Sequence, residues 1–199
     1  MMRPRQLWVL AGGNGAGKST FYRFFLKPRG IALVNADDIA RALRPDAPEG
    51  ASYDAATDAE ILRGRLIESG ASFCFETVFS HPSKIDFIAR ARALGYRVIL
   101  VFFHLGDAAL NLARISQRVA AGGHDVPDDK VRARLPRTLA NVKAALPLFD
   151  EVILVDNSSA DDPFRVVARI AGGTVRADRA APVWVLSLIA AAGPERTRS

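Results

Sequence analysis

Residues 12–20 read Gly-Gly-Asn-Gly-Ala-Gly-Lys-Ser-Thr, and Gly12 to Ser19 match the phosphate-binding pattern G-x-x-x-x-G-K-[ST]. The glycines let successive backbone N–H groups turn inward and cradle phosphate oxygens. A helix that begins at such a loop adds its positive dipole end to the cradle. Lys18 is placed to reach the β- and γ-phosphates, and the Ser19 hydroxyl to ligate Mg²⁺ carried with ATP. Gly12, Gly13, Asn14, Gly15, Ala16, Gly17, Lys18, Ser19 and Thr20 are therefore the candidate nucleotide-binding residues.

Other polar residues follow apolar runs that read as strands: Asn35-Ala36-Asp37-Asp38, Glu76-Thr77, His104 and Asp156-Asn157-Ser158. In an open parallel sheet, ligands bind beyond the carboxyl ends of the strands. Asp37 and Glu76 then flank the triphosphate site from neighbouring strands. That is equipment for phosphoryl transfer to an alcohol, in which one acid orients the acceptor hydroxyl and takes its proton. Asp37 is the candidate base, while Asp38 reads as a helix cap or a solvated acid. Asn157 is assigned to the nucleotide side and His104 to a structural role. A basic segment adds positive charge: Arg114 and Arg118 lie four apart on a helical pattern, and Arg132, Arg134 and Arg137 follow Gly122-Gly123. Glycines beside clustered arginines read as a mobile lid over about 114–137, with Arg118 facing the transferring phosphate.

These groups need a scaffold that alternates strands and helices. Leu7–Ala11, Ile31–Asn35, Ser72–Phe75, Arg97–Phe103 and Glu151–Val155 read as five strands. Several are continuously apolar, as expected of strands buried on both faces. The helical patterns are Gly17–Leu26 (stopped by Pro28), Asp37–Leu43, a segment capped by Asp54 or Thr57 and running to Ser69, Pro82–Leu94, Asp107–Ala121, Pro127–Leu146 (kinked or divided at Pro136) and Pro163–Ala171. Ala180–Gly193 reads as a buried terminal strand or helix. The expectation is one α/β domain over 1–199, with a parallel sheet of about five strands, helices on both faces and an arginine-bearing lid.

The bulk numbers bound the alternatives. The chain has 199 residues, 49% apolar and 24% charged, with a formal charge of +6. That usage is ordinary for a globular chain and unlike disorder, collagen or coiled coil. No run approaches the roughly 20 apolar residues of a membrane span. The single cysteine, Cys74, lies in an apolar run and excludes an internal disulfide, so the cytoplasm is the default compartment. No zinc-type His/Cys spacing is present, which leaves Mg²⁺ as the expected metal. The positive charge suits either nucleotide phosphates or nucleic acid. A polynucleotide or other small-metabolite kinase, and a non-catalytic NTP-gated nucleic-acid-binding module, are the alternatives. The strand-end acids argue against the module, since a polyanion binder gains nothing from them.

The ordered set Gly12–Ser19, Val34-Asn35-Ala36-Asp37, Phe75-Glu76-Thr77, Arg118 and Gly-Gly-His-Asp-Val-Pro at 122–127 resembles the zeta-toxin family of P-loop kinases, over about residues 6–158. Members are similar to small-molecule kinases such as chloramphenicol phosphotransferase. Well-studied ones phosphorylate a sugar hydroxyl of UDP-N-acetylglucosamine with ATP and Mg²⁺, and a small antitoxin blocks the ATP site. The resemblance implies Asp37 as general base, Glu76 and Glu60 as acids on the acceptor side, and Arg118 as the arginine that steadies the transferring phosphate. It further implies a nucleotide sugar as acceptor and an antitoxin-like inhibitor as partner. Two positions depart from the pattern. The second lid arginine falls near His124, which leaves Arg134 or Arg137 to replace it, and Val78 stands where a threonine is usual.

Overall fold

The structure is a computed structural model, and it describes residues 4–120 and 126–192. Seven strands form one sheet: β1 (Gln6–Gly12), β2 (Ala32–Val34), β3 (Phe73–Thr77), β4 (Arg97–His104), β5 (Glu151–Asp156), β6 (Arg165–Ala171) and β7 (Thr174–Ala177). Their order is β2-β3-β1-β4-β5-β6-β7. The first five run parallel, and β6 and β7 are added antiparallel at one edge. The helices are α1 (Lys18–Phe21), α2 (Ala36–Leu43), α3 (Ser52–Ser69), α4 (Ser83–Ala93), α5 (Ala108–Ala120), α6 (Asp128–Ala145) and α7 (Val183–Ala191).

Side chains alternate across the sheet and bury both faces. Val9, Phe73, Phe75, Leu100, Phe102 and Leu154 pack with Ala59 and Ile67 of α3, Ile88 of α4, Val142 of α6 and Leu188 of α7. Leu10, Cys74, Val101, Phe103 and Val155 point the other way and pack with Ala16, Leu26 and Phe21 beside α1 and Leu110 of α5. Cys74 is fully buried, and desolvation pushes its thiol well above the usual range. It is a packed core group, as its apolar run implies.

The parallel α/β scaffold stands as expected, with three corrections. First, Pro163–Ala171 is no helix. Arg165–Ala171 is a strand, and Gly172 and Gly173, at φ 56° and 78°, turn it back into β7. Two consecutive positive φ values are what a tight hairpin needs. Second, Pro136 does not divide α6, whose residues Val131, Thr138, Val142 and Ala145 are buried along its length. The helical run after Gly17 does reach Leu26 as expected, α1 passing into a π-helical turn, Tyr22–Leu26, before a 3₁₀ turn, Lys27–Arg29, that holds Pro28. Third, α3 begins at Ser52 after a 3₁₀ turn, Pro48–Ala51, so neither Asp54 nor Thr57 caps it. The 180–193 segment resolves in favour of a helix, α7, with Val185, Leu188 and Ile189 buried.

Candidate active site

The carboxyl ends of β1, β2 and β3 lie side by side, so the order of strands brings three distant stretches of sequence to one edge. At β1 the chain enters the Gly-rich loop. Gly12 has φ 147°, and a Cβ there would run into the Phe103 carbonyl; Gly17 has φ 98°, and a Cβ there would run into the Asn157 amide. Only glycine combines those dihedrals with that close approach. The loop is braced from two sides by buried asparagines. Asn111 of α5 donates to the Asn14 carbonyl at 2.6 Å. Asn157 donates to the Ala16 carbonyl at 2.9 Å and accepts the Phe164 N–H at 3.0 Å. Asn157, expected on the nucleotide side, thus spends its amide holding the loop from behind. Asn111 has no sequence signal; only its packing against the loop reveals it.

Lys18 begins α1 and is 6% exposed. Its ammonium donates to the Gly12 and Gly13 carbonyls, both at 2.8 Å, and lies 3.9 Å from a Glu76 oxygen. Burial holds its pKa below the usual value; Glu76 and Asp37 raise it, and Arg118 lowers it. Asp37, Glu76 and Arg118, all singled out from the sequence, act electrostatically on this one ammonium. Ser19, exposed at the next position, donates its hydroxyl to the Glu76 carboxylate at 2.8 Å. Glu76 therefore faces the Ser19 hydroxyl at the end of the loop, on the α1 side of β3. Its alternation with Phe75, which points to α3 and α4, makes that orientation necessary. Thr20 is half-buried in α1.

The second acid is organised by Asn35. Its side chain caps α2 by accepting the Asp37 N–H at 3.0 Å, and its amide approaches Glu76 at 3.5 Å. Of the two roles expected for Asp38, cap and solvated acid, the cap falls to Asn35. Asp38 instead accepts from Arg41 at 2.8 Å, in a pair exposed to water on both sides. The neighbouring carboxylate of Asp37 is exposed and accepts no hydrogen bond among the described residues. It acts on Lys18 through its charge alone among the described residues.

Three sequence candidates lie elsewhere. Glu60, on the exposed side of α3, acts electrostatically on Arg63 and Lys84. Arg134 is half-buried on α6, whose Leu135 approaches Gly13 of the loop; Arg137 bonds back to the Ala133 carbonyl at 3.1 Å. Of the lid, Gly122, Gly123, His124 and Asp125 lie outside the described residues. His104 stacks on Trp184 at 4.9 Å and accepts the Gly106 N–H at 2.6 Å. Burial lowers its pKa against the opposing pull of Asp156, so it packs as a neutral ring.

A strand, a Gly-rich loop and a helix at the edge of a mostly parallel sheet define a P-loop, nucleotide-binding fold of the kinase type. Residues 7–144 match a family model described as an AAA domain, and the chain belongs to that family; its fold is that of a compact, zeta-toxin-like P-loop kinase. An uncharacterised protein of Haemophilus influenzae is 33% identical over 140 residues, covering 67% of this chain and 99% of that one. Among solved structures, a chain of the PezAT chromosomal toxin–antitoxin system of Streptococcus pneumoniae superposes with a TM-score of 0.63 at 16% identity, over 84% of this chain and 72% of that chain. The AvrRxo1-ORF1:ORF2 complex with ATP has a chain that superposes with a TM-score of 0.61 at 20% identity, over 85% of this chain and 59% of that one. No helix among the described residues is long and apolar enough to cross a membrane.

Proposed function

We propose that this chain is an ATP-dependent small-molecule kinase that transfers the γ-phosphate to a hydroxyl, most simply that of a nucleotide sugar such as UDP-N-acetylglucosamine. The observation that carries the reading is the pairing of acids around Lys18. Glu76 is engaged by Ser19 and Lys18, while the Asp37 carboxylate takes no hydrogen bond among the described residues. A nucleotide-binding module needs the first acid at most; a kinase also needs the second.

Gly12 to Ser19 hold the triphosphate of ATP, with Lys18 turning from the loop carbonyls to the β- and γ-oxygens. Ser19 and Glu76 offer hard oxygen donors to Mg²⁺, which suits an ion held by one or two protein groups plus phosphate. Bound there, Mg²⁺ neutralises charge on the phosphates. Asp37 orients the acceptor hydroxyl and takes its proton. The acceptor oxygen bonds to the γ-phosphorus as the bond to the β–γ bridging oxygen breaks, giving a phosphate monoester, ADP and one proton. Arg118, on a lid spanning about 114–137, steadies the charge that spreads over the phosphoryl oxygens, with Arg134 or Arg137 as second lid arginine. Glu60 and Glu76 contribute acids toward the acceptor side. An ATP-consuming reaction fits the cytoplasm. The toxin–antitoxin system among the structural relatives supports an antitoxin-like inhibitor at the ATP site.

The test is product detection by mass spectrometry with ATP·Mg²⁺ and three acceptor arms: UDP-sugars, a metabolite extract and an oligonucleotide. A phosphorylated UDP-sugar is expected. Transfer only to the oligonucleotide 5′ end would replace this reading with polynucleotide kinase activity. Asp37→Asn should keep ATP binding and lower transfer by about 10²–10⁴-fold; undiminished transfer removes Asp37 as the base.

A further inference from the structure

A second buried cation lies on the opposite face of the same strand end. Arg63, in the middle of α3, is 6% exposed. Its guanidinium rests over the Phe75 ring at 5.3 Å and the Phe87 ring at 5.6 Å. Its Nε has no hydrogen-bond partner among the described residues. Phe75 immediately precedes Glu76, so Arg63 sits behind the catalytic edge. Lys84, half-buried in the first turn of α4, comes just after β3 leaves that edge. Glu60 stands one turn before Arg63 on α3 and acts on both cations. The three charges sum to +1, and the one carboxylate is within 4 Å of neither cation among the described residues.

Desolvating a guanidinium without giving its donors an acceptor is costly. A purely packing role over two phenylalanines would be met by an apolar side chain. The cost is recovered if the acceptor arrives with a ligand, because a guanidinium fork and an ammonium together match an oxyanion. The location fits the second substrate. α2, which carries Asp37 in its first turn, packs its Ala40 against Ala51 and Ala55 at the start of α3. That packing ties the helix that carries Arg63 to the helix that carries Asp37.

We propose that Arg63 and Lys84, with Glu60 acting on both, form a subsite for an anionic group carried by the acceptor, so that the hydroxyl presented to Asp37 belongs to an anionic molecule. The proposal rests on the kinase reading for the identity of its ligand. Its test does not require turnover.

The protein is saturated with a non-hydrolysable ATP analogue and Mg²⁺, which fills the phosphate loop. Inorganic pyrophosphate is titrated in one arm and succinate in another. Calorimetry reads affinity, and ¹⁵N NMR of the arginine side chains reads the Arg63 Nε–H. A saturable shift of that resonance is expected with pyrophosphate. A matching response to succinate extends the subsite to carboxylates, and its absence restricts it to phosphates. Arg63→Lys should abolish binding, and Lys84→Gln should weaken it about tenfold. An unmoved Arg63 resonance in both arms, or unchanged affinity in both variants, overturns the proposal. Pyrophosphate binding that is lost as the nucleotide analogue is raised overturns it too, since the anion then sits in the phosphate loop. A chain that binds pyrophosphate here yet phosphorylates nothing counts against the kinase reading and leaves the subsite standing.

Discussion

Lys18 and Arg63 are buried to the same degree, 6% exposed each, on opposite faces of β3, yet the protein treats them differently. Lys18 has two carbonyl acceptors and a carboxylate within 4 Å. Arg63 has two aromatic faces and an unpartnered Nε. A buried charge is tolerated when neighbours replace its water. Around Lys18 the loop and Glu76 do so within the chain. Around Arg63 the described residues supply two ring quadrupoles and a more distant Glu60, which together are weaker than a hydrogen-bonded counter-ion. The difference teaches that equal burial does not mean equal role: one cation belongs to a self-contained cradle, the other to a half-built one.

The comparison breaks most visibly in kinetics. Lys18→Met removes the cation that reaches the phosphates, and transfer from ATP should fall about 10³-fold in steady-state assays. If the loss is less than about tenfold, Lys18 serves the loop's shape and not its chemistry. Stability gives the next largest effect. Arg63→Met keeps the packing stem and removes an uncompensated charge, so the chemical-denaturation free energy should stay within about 1 kcal/mol of the parent or rise. A loss above about 3 kcal/mol would make Arg63 a structural keystone, as Lys18 is to the loop. The smallest effect concerns a half-buried base, His104. Its folded-state pKa is lowered, so the unfolded chain binds more protons below the ordinary histidine value. Its neutral form therefore favours the fold above about pH 6.5, and that contribution is lost as pH falls through about 6.5 toward the folded value. The expected slope is at most about 1.4 kcal/mol per pH unit, and His104→Gln should flatten it. An unchanged slope in the variant would assign the acid sensitivity to other groups.

Much of the scaffold was legible because its signals are local. Continuous apolar runs marked the five parallel strands, and Gly17-Lys18-Ser19 marked the turn into α1. The hairpin β6–β7 was missed although Gly172-Gly173 between β-branched runs carries its signature. Pro136 was read as kinking or dividing α6, and the buried face of that helix keeps it one element. Asp37 was singled out by its place after a strand. For its neighbour Asp38 a cap and a solvated role were both legible, since Asn35 and Asp38 both suit the cap and only the backbone of α2 decides between them.

The sequence by itself determined the phosphate loop, because its chemistry lies in consecutive residues whose dihedrals and donors need no distant partner to be read. It also determined that acids would follow β2 and β3. Only the tertiary structure decided where those acids point. The pleat of β3 sends Glu76 to Ser19 and Phe75 to Arg63, and the strand order sets Asn35 beside both acids. Asn111 and Asn157, 97 and 141 residues from the loop carbonyls they hold, enter the site only when the sheet has formed. Burial is a property of the whole packed chain, so no run of residues around Arg63 announces that its charge lies in the interior beneath the acceptor edge.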